Sequence, residues 1–206
     1  EAFKKCIEID GDDAMVLCNL GECYEQLAEL ENAELYYRKS LEIQPQLPDA
    51  WLGLGIVEDL KGDTISAIKM LLRANELDEN NSGILQVLAG AYEKLEDNEQ
   101  ACNYYNESLL IDPTDEECLK TYVLLLMKIV SLTEVLQFLE SFPIEFGMNN
   151  RLNLMKVHVL YELGRREESL ELFKTCLIED EEQAKELYLY NPKLLDDTDF
   201  LNLTNQ

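Results

Sequence analysis

The sequence predicts an all-α chain: a tandem array of stacked antiparallel helix pairs, closed at its C-terminal end by capping helices. Three observations carry this. In Ser82–Pro113, Leu85, Leu88, Ala89 and Tyr92 follow the i, i+3, i+4, i+7 spacing of one helix face, and Ala101, Tyr105 and Ser108 continue the pattern beyond a hinge at Glu96–Asp97–Asn98. The same ladder stands 34 residues earlier and, more weakly, 34 residues later. Small residues recur at that interval where the two helices of a pair must cross: Gly21, Gly55 and Ala89 in the first helices, Ala33, Ala67 and Ala101 in the second. One such pair cannot bury its apolar face alone, so stability grows by stacking neighbours.

Residues 1–11 read as the second helix of a truncated repeat, because Phe3, Cys6 and Ile9 keep register with Tyr37, Ser40 and Ile43. The chain starts at Glu1 rather than Met and lacks that repeat's first helix, so further helices are expected upstream in a longer protein. Residues 12–46, 47–80 and 81–114 form complete units. Leu17, Leu20, Gly21 and Tyr24, then Ala33, Tyr37, Ser40 and Ile43, mark the first. Trp51, Leu54 and Gly55, then Ala67, Leu71, Ala74 and Leu77, mark the second, with Trp51 expected in the core. Asp12 and Asp13, Pro48–Asp49, Asn81–Ser82 and Asp115 stand where a helix start needs a cap or a rigid first turn.

Residues 115–147 keep the period but coarsen it. Leu119, Tyr122, Val123 and Leu126 form a first helix, Val135 and Leu139 begin a second, and Phe142–Pro143 stops that helix early. Residues 148–180 diverge further: Gly164 marks the turn, while Asn153 and Lys156 fill slots that are apolar elsewhere. Residues 181–206 form the capping segment. A helix over Glu181–Tyr190 ends at Asn191–Pro192, and Leu194, Leu195, Phe200, Leu201 and Leu203 fold back over the last unit as a short helix.

The formal net charge of −25 argues against nucleic-acid backbones and anionic membranes, which it would repel, and favours basic partners. Most of the acids fall on outward helix positions, where solvation alone accounts for them. The six cysteines contain no CxxC pair and lie inside predicted helices. Cys6 and Cys176 share a repeat slot with Ser40, Ala74 and Ser108, so they read as small packing residues, and reduced buried thiols point to a cytoplasmic setting. No run of 18 apolar residues spans a membrane.

The spacing W/L-x2-L-G/A-x2-Y, then A-x3-Y/L-x2-A/S, then Pro, resembles the tetratricopeptide repeat, over about Glu1 to Asp180. Glu58 departs from the aromatic present at Tyr24 and Tyr92, and Glu79 from the proline at Pro45 and Pro113. The resemblance implies a right-handed α-solenoid whose first helices line a concave groove. Carried over position by position, it makes Met15, Cys18, Glu22, Asp49, Leu52, Ile56, Asp59, Glu93, Lys120, Leu124, Arg151 and His158 the candidate peptide-binding residues. Leu60, Met127 and Leu154 extend the apolar floor of that groove, and Glu25, Tyr161 and Glu162 also face inward. Acids dominate the first three units, whereas Lys120, Lys128 and Arg151 make the far end more basic. Such a groove suits an extended or helical peptide with apolar anchors and basic residues. The family's clamp for chaperone tails needs Lys, Asn and Arg where this chain has Cys18, Glu22, Gly53, Gly83 and Val87, so that mode is excluded.

No catalytic constellation emerges. His158 is the only histidine, so no triad or Cys/His pair can form without it, and a solvated or partner-contacting role fits it better. Phosphate-binding glycine motifs are absent, and one histidine without clustered cysteines gives a metal little to bind. No cofactor or metal is expected. The sequence therefore reads as a non-catalytic protein-interaction scaffold. Two alternatives stand beside it: self-assembly into a homo-oligomer through the exposed N-terminal helix, and the substrate-recruiting arm of a larger enzyme.

Overall fold

A computed structural model describes residues 13–142 and 149–204. The helix expected over 1–11, with its Phe3/Cys6/Ile9 edge, lies outside the described residues, as does most of the connection after Phe142. Contacts divide the chain between Ile111 and Asp112 into two compact units. The described residues are helical throughout, with no strand among them.

The first unit holds three helix pairs: α1 (Ala14–Gln26) with α2 (Leu30–Ile43), α3 (Pro48–Leu60) with α4 (Thr64–Leu77), and α5 (Ser82–Lys94) with α6 (Asn98–Ile111). The second unit holds α7 (Glu116–Ile129), α8 (Leu132–Ser141), α9 (Asn149–Glu162) and α10 (Arg166–Glu179). It is completed by α11 (Glu181–Lys185), α12 (Leu187–Tyr190), a 3-10 turn (Pro192–Asp196) and α13 (Thr198–Thr204). The helix starts are chemically fixed. Asp13 accepts from the Met15 amide at 2.8 Å, Asn81 from Ile84 at 3.2 Å and Asp115 from Cys118 at 2.8 Å, while Pro48 opens α3. Ser131 and Glu134 form a reciprocal capping box at α8, and that helix ends at Ser141, ahead of Pro143.

Small residues set the pair crossings. A Cβ on Gly21 would lie 2.7 Å from Cδ1 of Tyr37, and one on Gly55 would lie 2.6 Å from the Leu71 side chain. Tyr37 is wedged from both sides, since a Cβ on Gly53 of α3 would fall 2.1 Å from its Cζ. The ring therefore reaches between α1 and α3 only because both helices lack a side chain there. Ala33, Ala67 and Ala101 are fully buried beside these crossings. Tyr24 stacks on Tyr36 and Tyr92 on Tyr104 at ring separations of 5.3 and 5.5 Å. In the middle pair both partners change together. Glu58 and Met70 occupy those places, and Glu58 faces Arg38 at 3.8 Å.

The slot shared by Ser40, Ser108 and Cys176 does more than save space. Ser40 donates to the Ala14 carbonyl at 2.6 Å, Ser108 to Ser82 at 3.0 Å and the Cys176 thiol to Asn150 at 4.0 Å. Each bond ties the end of a second helix to the start of its own first helix.

Two expectations need correction. Trp51 is only half-buried, because its indole N–H turns outward to donate to the Pro45 carbonyl at 2.9 Å. The helix expected over Glu181–Tyr190 is two pieces. The Glu186 amide bonds the Gln183 carbonyl three residues back, which tightens the backbone between α11 and α12. The segment still closes its unit: Leu187, Leu194 and Phe200 are fully buried with Leu154, Val157 and Phe173.

Candidate functional site

In the first unit, α1 and α3 together shape a concavity of about 270 Å³. Cys18, Asn19, Glu22 and Glu25 line one side, Asp49, Leu52, Gly53 and Ile56 the other, with Tyr37 at the back. The 34-residue register thus brings Cys18 and Glu22 opposite Asp49, Leu52 and Ile56, as the sequence places them. Met15, at the start of α1, is exposed.

The charges are arranged asymmetrically. Tyr37 donates its hydroxyl to Glu25 at 2.8 Å, and Glu22 accepts only a long bond from Gln26, at 3.4 Å. Among the described residues no cation lies within ion-pair distance of Glu22, Glu25 or Asp49. Burial, reinforced by the nearby Glu22 charge, raises the Glu25 carboxyl above the ordinary glutamate range despite the Tyr37 bond. The phenol of Tyr37 is raised in turn, by burial and then by Glu25. Cys18 is not a free groove side chain. It is 5% exposed, packed among Ala14, Ala33, Tyr37 and Leu54, and burial with Asp49 nearby pushes its thiol up to about 12.

Other predicted positions are already engaged. Asp59 accepts from Thr64 at 2.9 Å and pairs with Lys94 at 2.5 Å, and Glu93 accepts from Tyr105 at 3.4 Å. In the second unit the expected basic end is neutralised. Lys120 pairs with Glu117 at 2.7 Å, and Arg151 lies between Glu116 at 2.6 Å and Glu186 at 3.6 Å. What remains between α7 and α9 is an apolar crevice of about 20 Å³, lined by Lys120, Val123, Leu124, Met127, Leu154, Met155 and His158. Its volume holds little more than one water. Leu124 is exposed at its mouth, whereas Leu154 is core. Burial lowers the His158 imidazole below the ordinary histidine range, against the nearby Glu162 charge and with a smaller push from Lys193. No group of three or more His, Cys, Asp or Glu side chains suited to a metal occurs among the described residues. None of the described helices is long and apolar enough to cross a membrane.

Sequence reasoning placed Tyr37 only among the packing residues and Gly53 only among the clamp positions, yet both line this concavity. The available signal was Gly53 in Leu52–Gly53–Leu54–Gly55, a glycine that the repeat pattern does not require.

Residues 14–47 and 82–115 each match a model of the tetratricopeptide repeat. The chain contains tetratricopeptide repeats over these residues. It is 24% identical over 112 residues to anaphase-promoting complex subunit 3 of Schizosaccharomyces pombe. That stretch is 54% of this chain but 17% of the relative's length. Among solved structures it is similar in fold to YrrB, a tetratricopeptide-repeat protein described as having an unusual peptide-binding site. The TM-score there is 0.62 at 23% identity, over 94% of this chain and 98% of that one. MamA gives a TM-score of 0.65 at 18% identity, over 85% and 96% of the two chains. The first tetratricopeptide repeat of Spaghetti, bound to an HSP90 peptide, gives 0.55 at 18% identity over 58% and 94%.

Proposed function

We propose that this tetratricopeptide-repeat chain is a non-catalytic scaffold whose α1–α3 concavity holds a segment of a partner protein, through a basic side chain set beside an apolar anchor. The observation that carries this reading is an unbalanced group of carboxylates, Glu22 and Glu25 on α1 opposite Asp49 on α3, beside half-buried Leu52 and Ile56. Three carboxylates around one hollow repel one another, and Glu25 in addition sits where ionisation is opposed by burial. A Lys or Arg side chain entering there relieves both costs, while an aliphatic neighbour covers Leu52 and Ile56. Peptide recognition by YrrB and by the Spaghetti repeat supports the class of ligand, not its identity. The acidic wall disfavours a terminal carboxylate, consistent with the missing clamp cations.

A fluorescently labelled peptide array pairing Arg or Lys with Leu, read by anisotropy, tests this. Leu52→Glu with Ile56→Glu should abolish binding while the far-UV helical signal stays intact; unchanged affinity would remove the concavity from the account. Binding should also weaken with added salt and, because the cation draws a proton off Glu25, should weaken as pH falls below that group's raised value.

A further inference from the structure

We propose that the inward face of α9 is a peptide-accepting face already filled by the chain's own segment Asn191–Thr204, held there as a displaceable occupant. The proposal rests on reading the first helices as partner-accepting faces. Tyr161 stands four periods after Glu25, which lines the α1–α3 concavity, and Glu162 follows it at the end of α9 in the place of Gln26. Instead of facing an open hollow, they are covered. Lys193 places its ammonium 3.0 and 3.1 Å from the two Glu162 carboxylate oxygens, and the Asn191 side chain donates to the same carboxylate at 3.0 Å. Tyr161 donates its hydroxyl to Asp197 at 3.4 Å, and its ring meets Phe200 edge-on at 5.6 Å. Leu194, next to Lys193, is fully buried in the same cluster as Leu154 and Phe173. A basic side chain on a carboxylate with an aliphatic neighbour inserted beside it is the chemistry assigned above to an external partner.

The segment is built to be released. It consists of a five-residue 3-10 turn and a seven-residue helix, clipped through the nearly buried side chain of Asp197 and the exposed one of Asp199. There Arg166 binds Asp197 at 2.9 and 2.6 Å and Asp199 at 2.5 Å, with 43% of its own side-chain surface exposed. Short elements with few internal bonds open before long packed helices do.

Hydrogen exchange on the full chain tests this directly. The amides of α13 should exchange about ten-fold faster than those of Val157 and Phe173, and Arg166→Ala should speed α13 further while leaving those core amides alone. A labelled synthetic peptide of residues 191–204 should bind the Arg166→Ala chain saturably, and the chain that keeps Arg166 about ten-fold more weakly, because the tethered copy competes. Exchange of α13 in step with α9 and α10 in both chains would show a fixed cap and overturn the proposal. So would failure of the peptide to bind a variant whose α13 has been shown to open. Both chains in the peptide experiment carry Leu52→Glu and Ile56→Glu, which remove the α1–α3 concavity as a second site for this Lys–Leu peptide, so the two proposals fail separately.

Discussion

Tyr37 shows how one residue couples packing to the site. Its ring needs Gly21 on one side and Gly53 on the other, and its hydroxyl then fixes Glu25 in the hollow. Gly53→Ala should therefore destabilise the chain by about 1–3 kcal/mol through overpacking. Gly90→Ala, whose new methyl would find its nearest atom 3.9 Å away at the Tyr105 hydroxyl, should instead gain about 0.5–1 kcal/mol. Urea midpoints at constant m separate the two; equal shifts of one sign would remove the wedge from the account. Glu25 adds a pH signature. Its carboxyl is raised in the folded chain, so its contribution to stability is present below the unfolded value and lost as pH rises through the folded one. Glu25→Gln should stabilise the chain at neutral pH and lose that advantage below about pH 4. A gain of equal size at both pH values would contradict the assignment.

At the scale of the helix pair, the turns are where the repeat departs from ideal chemistry. Ala28 and Glu96 adopt φ of 58° and 60°, the left-handed conformation that Gly62 and Gly164 supply at the same register position. Ala28→Gly and Glu96→Gly should each raise the melting temperature, since a Cβ in that conformation costs about 1 kcal/mol. A fall in Tm at both sites would mean that the turns are held by something other than the backbone. The helix pairs themselves were legible in the sequence, because apolar spacing and small crossing residues are local signals that survive without neighbours in view. The hydrogen bonds from Ser40, Ser108 and Cys176 were not, because a small polar side chain satisfies the packing rule whether or not it donates. The break at Glu186 was equally hidden: Glu181–Tyr190 carries no glycine or proline, and the Glu186–Gln183 backbone bond that marks it leaves no trace in the sequence.

Across the molecule, formal charge misled where pairing decides. Lys120 and Arg151 looked like a basic end, but acids from their own and neighbouring helices meet them, so the net −25 is not offset there by free cations. Glu22, Glu25 and Asp49, in the first unit, gather around one hollow, and that grouping could be located only once α1 and α3 were side by side. Self-assembly is a separate reading, and light scattering behind size exclusion addresses it: a monomer mass that does not change with concentration removes it. The central claim concerns where a basic peptide binds. Chemical-shift mapping on the 15N-labelled chain, titrated with a peptide that pairs Arg with Leu, tests it most directly. The account predicts saturable shifts confined to the amides of residues 15–25 and 49–59. Shifts centred on α2 and α4, or none at saturating peptide, would contradict it.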